Sequence, residues 1–242
     1  MEGDGKQRAG NLETGGGGGG GGVLIQVETL RGGGEINADG GSADSGVGAG
    51  CGGGGRIAVY YTSRASFTGS VHAYGGAMVP AATKNTSIGG AGTIYWKSAA
   101  QLYGDLVVDA GARIQSTPRT RLRPVGTGTV SSLAPASLVA PGPFVATDTG
   151  LQGAWVVLNG AVTQPFRILS NSATEIFTDP ASGDMTLVGA PGGGYQGALV
   201  LDNLLVTRNG AMTTLGELII IATGTSTVSL GGSLTAPPVV HW

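Results

Sequence analysis

The chain has 242 residues, of which 48 are glycine and only 12% are charged, whereas about a quarter of the residues in an ordinary globular domain carry a charge. Its formal net charge is -2, with basic and acidic residues scattered along the sequence, so nothing favours binding to nucleic acid or to an anionic membrane surface. Hydrophobic residues make up 40% of the chain, more than disordered chains contain. We therefore expect a folded, glycine-rich protein.

Residues 1–14 form a predicted N-terminal tail. They lack a basic region followed by an apolar one, so no secretory signal is visible, and we expect the chain to be a fragment if the protein is exported. A run of eight glycines, residues 15–22, stands directly before the apolar strand VLIQVETL. Because ordering glycine costs much backbone entropy, this run either packs closely against other backbone or is a disordered linker. Both interpretations remain open.

A repeat is predicted for residues 15–115. Glycine and apolar positions recur together at intervals of 35 residues in three successive units: Gly34, Gly69 and Gly104, and Ile36, Val71 and Leu106. Each unit contains a glycine-rich loop, a strand, a short turn and a second strand. Two strands cannot bury their inner face alone, so we expect the units to stack as a parallel β-solenoid with the glycine-rich loops along one edge.

The composition changes after residue 115. Residues 116–242 contain β-rich runs bounded by Gly, Asn, Asp and Pro, and no segment of the chain has a sustained helical period. We therefore predict an all-β protein in which this second segment continues the solenoid. A small β-sandwich fits the spacing of these strands almost as well.

The segments GGGGRIAVYY, FTGSVHAYGG, GGAGTIYWK and YGDLVVD resemble the glycine-rich repeat of very large predicted exported proteins of bacteria and some microbial eukaryotes. The resemblance covers residues 17–111, and LQGAWVVLN with FRILSNSATEIFT is similar to the segment that often follows. It implies a right-handed parallel β-helix that serves as a stalk or adhesin-like element at the cell surface or outside the cell. The family has no established catalytic residues, so the resemblance implies none here.

Motifs for cofactors, metals and nucleophiles are weak. Gly48–Gly53 matches the dinucleotide-binding pattern G-x-G-x-x-G, but a predicted strand follows it instead of a helix, and we predict no cofactor. His72 and His241 are far apart in the sequence, and Cys51 is a lone cysteine in a glycine loop, so neither a metal site nor a nucleophile is predicted. The imidazole of His72 is expected to face solvent.

A carbohydrate-active β-helix, similar to a polysaccharide lyase or hydrolase, is the alternative function. Such sites need carboxylates that converge on one face. Asp105 and Asp109 share a face of one strand, but four residues place them roughly 13 Å apart, beyond the roughly 5 to 9.5 Å of glycosidase pairs. Both are expected to be solvated residues of a strand end and a turn. Carboxylates of neighbouring coils are still free to converge.

Aromatic residues cluster in the first half of the chain and provide the candidate ligand contacts. Adjacent aromatic residues place one ring on each face of a strand, and outward rings can stack on sugars. The candidate glycan-contact residues are Tyr60, Tyr61, Tyr95 and Trp96. The competing interpretation is that these rings pack in the core.

No apolar run is long enough for a membrane span. The predicted function is a structural or adhesive segment without catalysis, whose partners are glycans or neighbouring surface chains.

Overall fold

A computed structural model describes residues 16–44, 50–79, 88–113, 119–122, 125–142, 144, 150–214, 218–228 and 232–235. These residues form an all-β protein, which confirms the predicted fold class. The first nine strands are β1 (Gly22–Gly32), β2 (Glu35–Asn37), β3 (Ala43–Asp44), β4 (Arg56–Phe67), β5 (Ser70–His72), β6 (Met78–Val79), β7 (Thr93–Ser98), β8 (Asp105–Asp109) and β9 (Thr120–Leu122).

The remaining strands begin in the region that follows the repeats. They are β10 (Thr127–Thr129), β11 (Ser132–Ala134), β12 (Ser137–Val139), β13 (Trp155–Leu158), β14 (Phe166–Asn171), β15 (Glu175–Thr178), β16 (Gly194–Leu201), β17 (Asn203–Thr207), β18 (Ala211–Thr214), β19 (Ile219–Ala222), β20 (Ser226–Val228) and β21 (Ser233–Thr235). Two short 3-10 helices, Pro180–Ser182 and Met185–Leu187, lie between β15 and β16. Asp179 and Asp184 cap them by accepting from the backbone N–H groups of Ala181 and Thr186.

The chain divides into two compact units. The first contains the described residues of Met1–Arg121, Asp202–Thr213 and Gly224–Thr235, and the second contains those of Leu122–Leu201 and Thr214–Thr223. The first unit therefore includes two returns of the chain from the region that the sequence groups as residues 116–242.

The first unit has a six-stranded sheet in the order β1-β4-β7-β8-β17-β20. Strands β1, β4 and β7 are parallel, and β2 and β3 pair in parallel with β5 and β6. Ile36 pairs with Val71, as the repeat predicted. The predicted stacking of Leu106 on these residues is wrong, because β8 runs antiparallel to β7 and Leu106 pairs with Tyr95 and Leu204.

The second unit has an eight-stranded sheet whose pairs are antiparallel, apart from the parallel pair of β16 and β19. Its core contains Phe166, Ile168, Ile176 and Met185, all fully buried. The mixture of parallel and antiparallel pairs does not confirm a parallel β-solenoid throughout the chain. The all-β class alone is confirmed.

Five glycine-rich segments of the first unit lie side by side and form what we call the glycine bundle: residues 16–21, 38–41, 50–55, 73–76 and 89–92. Their backbone hydrogen bonds join different segments, and those between one pair of segments recur at every third residue. Gly17 and Gly20, for example, donate to Gly50 and Gly53, each at 2.8 Å. A repeat of three residues without internal hydrogen bonds is typical of polyproline II backbone. None of the glycines in the bundle has a positive φ angle.

Glycine is required inside the bundle because there is no room for a side chain, and not because the backbone adopts a positive φ angle. A Cβ atom on Gly52 would overlap the carbonyl oxygen of Gly18, whereas one on Gly53 would lie 3.7 Å from the carbonyl oxygen of Gly90. Close packing of glycine-rich loops is therefore confirmed for the described glycines, and a disordered linker is the wrong interpretation for residues 16–21. Gly15 lies outside the described residues.

Candidate functional site

Strands β1, β4 and β7 turn one face to the core and the other toward solvent. Their register aligns two rows of side chains on the solvent side: Leu24, Ala58 and Tyr95, and Gln26, Tyr60 and Lys97. Because side chains alternate along a strand, both rows lie opposite the buried residues Ile57 and Val59. We call these six residues the outer face.

The four candidate glycan-contact residues divide between the two faces of the sheet. Tyr60 and Tyr95 lie on the outer face, where their rings meet edge to face with centroids 5.9 Å apart. Tyr60 is 38% exposed. Trp96 is 8% exposed and packs in the core beside Tyr61, with the guanidinium carbon of Arg64 4.4 Å from its ring centroid. The outer face therefore offers two of the four rings to a ligand.

The turn after β7 fixes the orientation of side chains on the outer face. The Tyr95 hydroxyl donates to the carbonyl oxygen of Tyr103. Lys97 Nζ donates to the carbonyl oxygens of Gln101 at 2.5 Å and Leu102 at 3.0 Å. Because these side chains are already ordered in the folded protein, a ligand that contacts them loses less of its binding energy to ordering.

Two concavities adjoin the strands of the outer face. One, of about 390 Å³, lies beside Gln26, Tyr60 and Lys97. The other, of about 530 Å³, lies beside Arg56 and Thr93, a pair at the opposite end of the contact between β4 and β7. Both volumes fall within the range of roughly 300 to 1,000 Å³ that is usual for small-ligand sites.

His72 is held between two carboxylates of the preceding repeat. Its Nδ1 lies 2.9 Å from Asp39 Oδ1, and its Nε2 contacts Glu35 Oε1. The side chain is 15% exposed, so the expectation of a solvent-facing imidazole is wrong. The reason lies in the register: Asn37 pairs with His72, so the acidic residues two positions before and after Asn37 lie diagonally across from the ring.

The carboxylates determine the charge of His72. Partial burial by itself lowers the pKa of His72, but the hydrogen bonds and charges of Asp39 and Glu35 outweigh burial and raise the pKa above its ordinary value. An imidazolium donates from both ring nitrogens, whereas a neutral imidazole donates from one. His72 is therefore suited to be an ion-pair partner and not a free general base.

Tyr74 joins His72 to a second charged group. The two rings are stacked, with centroids 4.6 Å apart and an angle of 6°. Arg208 donates from Nη2 to the Tyr74 hydroxyl at 2.6 Å and from Nε to both carboxylate oxygens of Asp109 at 2.9 and 3.1 Å. The side chain of Asp109 is 12% exposed, so the expectation that it is solvated is wrong. Arg113 lies 5.2 Å from the centroid of the Tyr74 ring.

The acidic residues considered for catalysis are engaged in contacts within the chain. Asp105 Oδ1 accepts from Asn203 Nδ2 at 2.6 Å, and Asp109 binds Arg208. Across the described ranges, no group of three or more His, Cys, Asp or Glu residues is arranged to hold a metal ion. Residues 48 and 49 of the G-x-G-x-x-G motif and His241 lie outside the described residues, and a strand follows the motif.

Comparisons with known proteins add no relative. No protein-family model, curated protein or solved structure matches this chain. In the part of the chain that the structure describes, no helix is long and apolar enough to cross a membrane. The features that bear on function are the glycine bundle, the outer face and the charged side chains of the first unit.

Proposed function

We propose that this chain is a structural or adhesive segment of a cell-surface or extracellular protein, and that it acts without catalysis. The observation that carries the proposal is the glycine bundle. Its segments are joined by repeated backbone hydrogen bonds and leave no room for side chains at interior positions such as Gly52. Such packing makes a stiff scaffold in which each repeat is held by its neighbours. A placement outside the cell is supported by the resemblance to exported glycine-rich repeat proteins.

The first two repeats are the start of a right-handed parallel β-solenoid in this proposal. Each strand of the first repeat pairs in parallel with the corresponding strand of the second: β1 with β4, β2 with β5, and β3 with β6. Corresponding strands of successive coils pair in this way in a solenoid. Strand β7 adds to the stack, and the reversal into β8 ends it.

Glycan contact is assigned to the outer face. Tyr60 and Tyr95 present adjacent rings, and Gln26 supplies an exposed amide. Aromatic rings stack on the apolar faces of sugars, and a fixed sheet presents them without reorganisation. Tyr61 and Trp96 support this surface from the core.

The test is retention of the pure protein on polysaccharide gels in affinity electrophoresis. We expect Tyr60→Ala to weaken retention about fivefold, because one exposed ring contributes on the order of 1 kcal/mol. Leu187→Ala is the matched control, since Leu187 is 84% exposed in the second unit. Equal retention of the two variants would contradict glycan contact at the outer face.

The carbohydrate-active alternative has its own test. Glu35 and Asp39 of the first repeat are two carboxylates that meet at one imidazole of the second, and glycoside chemistry requires two carboxylates that converge. We expect no turnover of pectin, alginate or chitin fragments, because His72 occupies the space between these carboxylates. Release of reducing ends or unsaturated uronides that disappears in Glu35→Gln would establish catalysis in place of the structural role.

A further inference from the structure

A groove beside the glycine bundle is lined by arginines and bare backbone. It is open to solvent, has a volume of about 530 Å³, and is bordered by residues 53–56, 90–93 and 119–121 and by Thr213. The glycines in these segments carry no side chain, so a ligand can approach the main chain closely. Among the described residues that line the groove, none is acidic.

The three arginines of the groove are Arg56, Arg119 and Arg121, and all are exposed. Within the described ranges, none of their guanidinium groups has an ion pair or a hydrogen bond, in contrast to Arg208, which binds Asp109. A guanidinium presents donors in a planar fork that matches the oxygens of a carboxylate or a sulfate group. The groove therefore has the chemistry of an anion site.

The backbone of β9 fixes two of these arginines. Thr120, between them, is 8% exposed, and its Oγ1 donates to the carbonyl oxygen of Ala91 at 2.6 Å. This buried hydrogen bond attaches β9 to the glycine bundle. The Cα atoms of Arg119 and Arg121 are two strand residues apart, which is roughly 7 Å. The strand thus places the Cα atoms of two arginines side by side before any ligand binds.

Arg56 joins the groove to the outer face. Arg56 is two and four residues from Ala58 and Tyr60 on β4, so all three side chains leave the same side of the strand. About 13 Å separates the Cα atoms of Arg56 and Tyr60 at this spacing. Rings at one end and cations at the other fit a sugar chain that carries negative charges. A nucleic acid is disfavoured, because its dense charge would meet a chain of net charge -2.

We infer that this groove binds the anionic groups of an acidic glycan, with Arg56, Arg119 and Arg121 contacting its carboxylate or sulfate groups while Tyr60 and Tyr95 contact adjoining sugar rings. The inference rests on the glycan contact proposed for the outer face and specifies the class of sugar.

The test is isothermal titration calorimetry of the full chain with four probes: an oligogalacturonate, its neutral methyl ester, a heparin-derived oligosaccharide and an oligothymidylate. We expect the oligogalacturonate, the heparin fragment or both to bind at least tenfold more tightly than the methyl ester. Arg56→Gln and Arg121→Gln should each weaken acidic binding about tenfold and leave the methyl ester unaffected. Arg167→Gln is the control, because Arg167 is exposed in the second unit. Circular dichroism checks that each variant is folded.

The outcomes separate this inference from the proposed function. Equal affinity for acidic and neutral glycans would overturn the arginine site and leave the outer face as a glycan surface. Failure of every glycan to bind would overturn both the arginine site and the glycan contact proposed for the outer face. Tighter binding of the oligothymidylate than of either acidic glycan would also overturn the inference. A preference between the carboxylated and sulfated probes, lost in Arg56→Gln, would support it and identify the anionic group.

Discussion

His72 Nδ1 and Asp39 Oδ1 lie 2.9 Å apart, although 33 residues separate them in the sequence. The same carboxylate oxygen accepts the backbone N–H of Tyr74 at 2.6 Å. Glu35 contacts the other nitrogen of the imidazole ring. Two acidic side chains of the first repeat therefore cross-link the backbone and a side chain of the second. Because one of the cross-linked groups is a histidine, we expect the stability of the repeats to depend on pH.

The first prediction concerns this pH dependence. The folded pKa of His72 is raised, so its ion pairs contribute fully below the unfolded value of about 6.5 and are lost as the pH rises through the folded value. We expect the free energy of unfolding of the wild type to exceed that of His72→Gln at pH 6 and the difference to shrink toward pH 9. Urea unfolding at a series of pH values measures it.

The control for this prediction uses the acidic partners of His72. Asp39→Asn and Glu35→Gln should each reduce the pH dependence of the unfolding free energy, because each removes one of the two negative charges that raise the pKa of His72. His241 is present in every one of these proteins, so its titration cancels in the differences. A difference between wild type and His72→Gln that stays constant from pH 6 to pH 9 would show that the charge of His72 does not stabilise the fold.

The second prediction concerns the pairing of Arg208 with Asp109. Arg208→Lys keeps the charge but cannot bind both carboxylate oxygens and the Tyr74 hydroxyl with one planar group. Since the Arg208 side chain is 43% exposed, solvent screens the pair, and we expect a loss of only about 0.5 to 1 kcal/mol in the unfolding free energy. Arg31→Lys, at an exposed position of β1, is the control. An equal loss of unfolding free energy in Arg208→Lys and Arg31→Lys would argue against the bidentate pairing of Arg208 with Asp109.

The third prediction separates the two faces of the first sheet. Trp96 is buried, so Trp96→Ala should lower the unfolding free energy by about 3 to 5 kcal/mol. Tyr60→Ala, on the outer face, should lower it by less than about 1 kcal/mol, because Tyr60 is 38% exposed and lies outside the core. Thermal unfolding of the two variants measures both effects. A larger effect for Tyr60→Ala would reverse the assignment of the faces.

The repeat was predictable where the chain keeps a simple period. The interval of 35 residues paired Ile36 with Val71 and identified the glycine segments that pack together. It failed at Leu106, because Gly104 adopts a φ of +90° in the turn before β8, whereas neither Gly34 nor Gly69 has a positive φ. A glycine at the same position of the repeat can lie in an extended segment or in a turn that reverses the chain. The sequence alone does not separate these two uses.

Side-chain partners from distant parts of the sequence were not predictable. Asp109 and Arg208 are 99 residues apart, and the pairing of β8 with β17 that joins them has no periodic signal. The surroundings of His72, in contrast, had a periodic signal in the sequence. The repeat aligns Asn37 with His72, which places Glu35 and Asp39 diagonally across from His72. Residues on the same side of stacked strands are neighbours in space, and this rule links the acidic residues to the imidazole.

The last prediction compares neighbouring glycines of the bundle. Gly52 and Gly53 differ in their surroundings: a Cβ atom on Gly52 would overlap the backbone of Gly18, whereas the nearest atom to one on Gly53 would be 3.7 Å away. We expect Gly52→Ala to lower the unfolding free energy by about 1 to 3 kcal/mol or more, because backbone must move. Gly53→Ala should change it by less than about 1 kcal/mol, in the stabilising direction if the local backbone accepts alanine.

Gly54 extends the comparison to a third adjacent position. A Cβ atom on Gly54 would overlap the carbonyl oxygen of Ala73, so any loss of stability in a Gly53→Ala, Gly54→Ala double variant should equal that of Gly54→Ala alone. Urea unfolding measures the free energies of unfolding of the single and double variants under the same conditions. A graded loss in which Gly53→Ala costs as much as Gly52→Ala would mean that alanine acts through general backbone stiffness. If steric contact between segments decides the outcome, Gly53 tolerates the methyl group, whereas Gly52 and Gly54 do not.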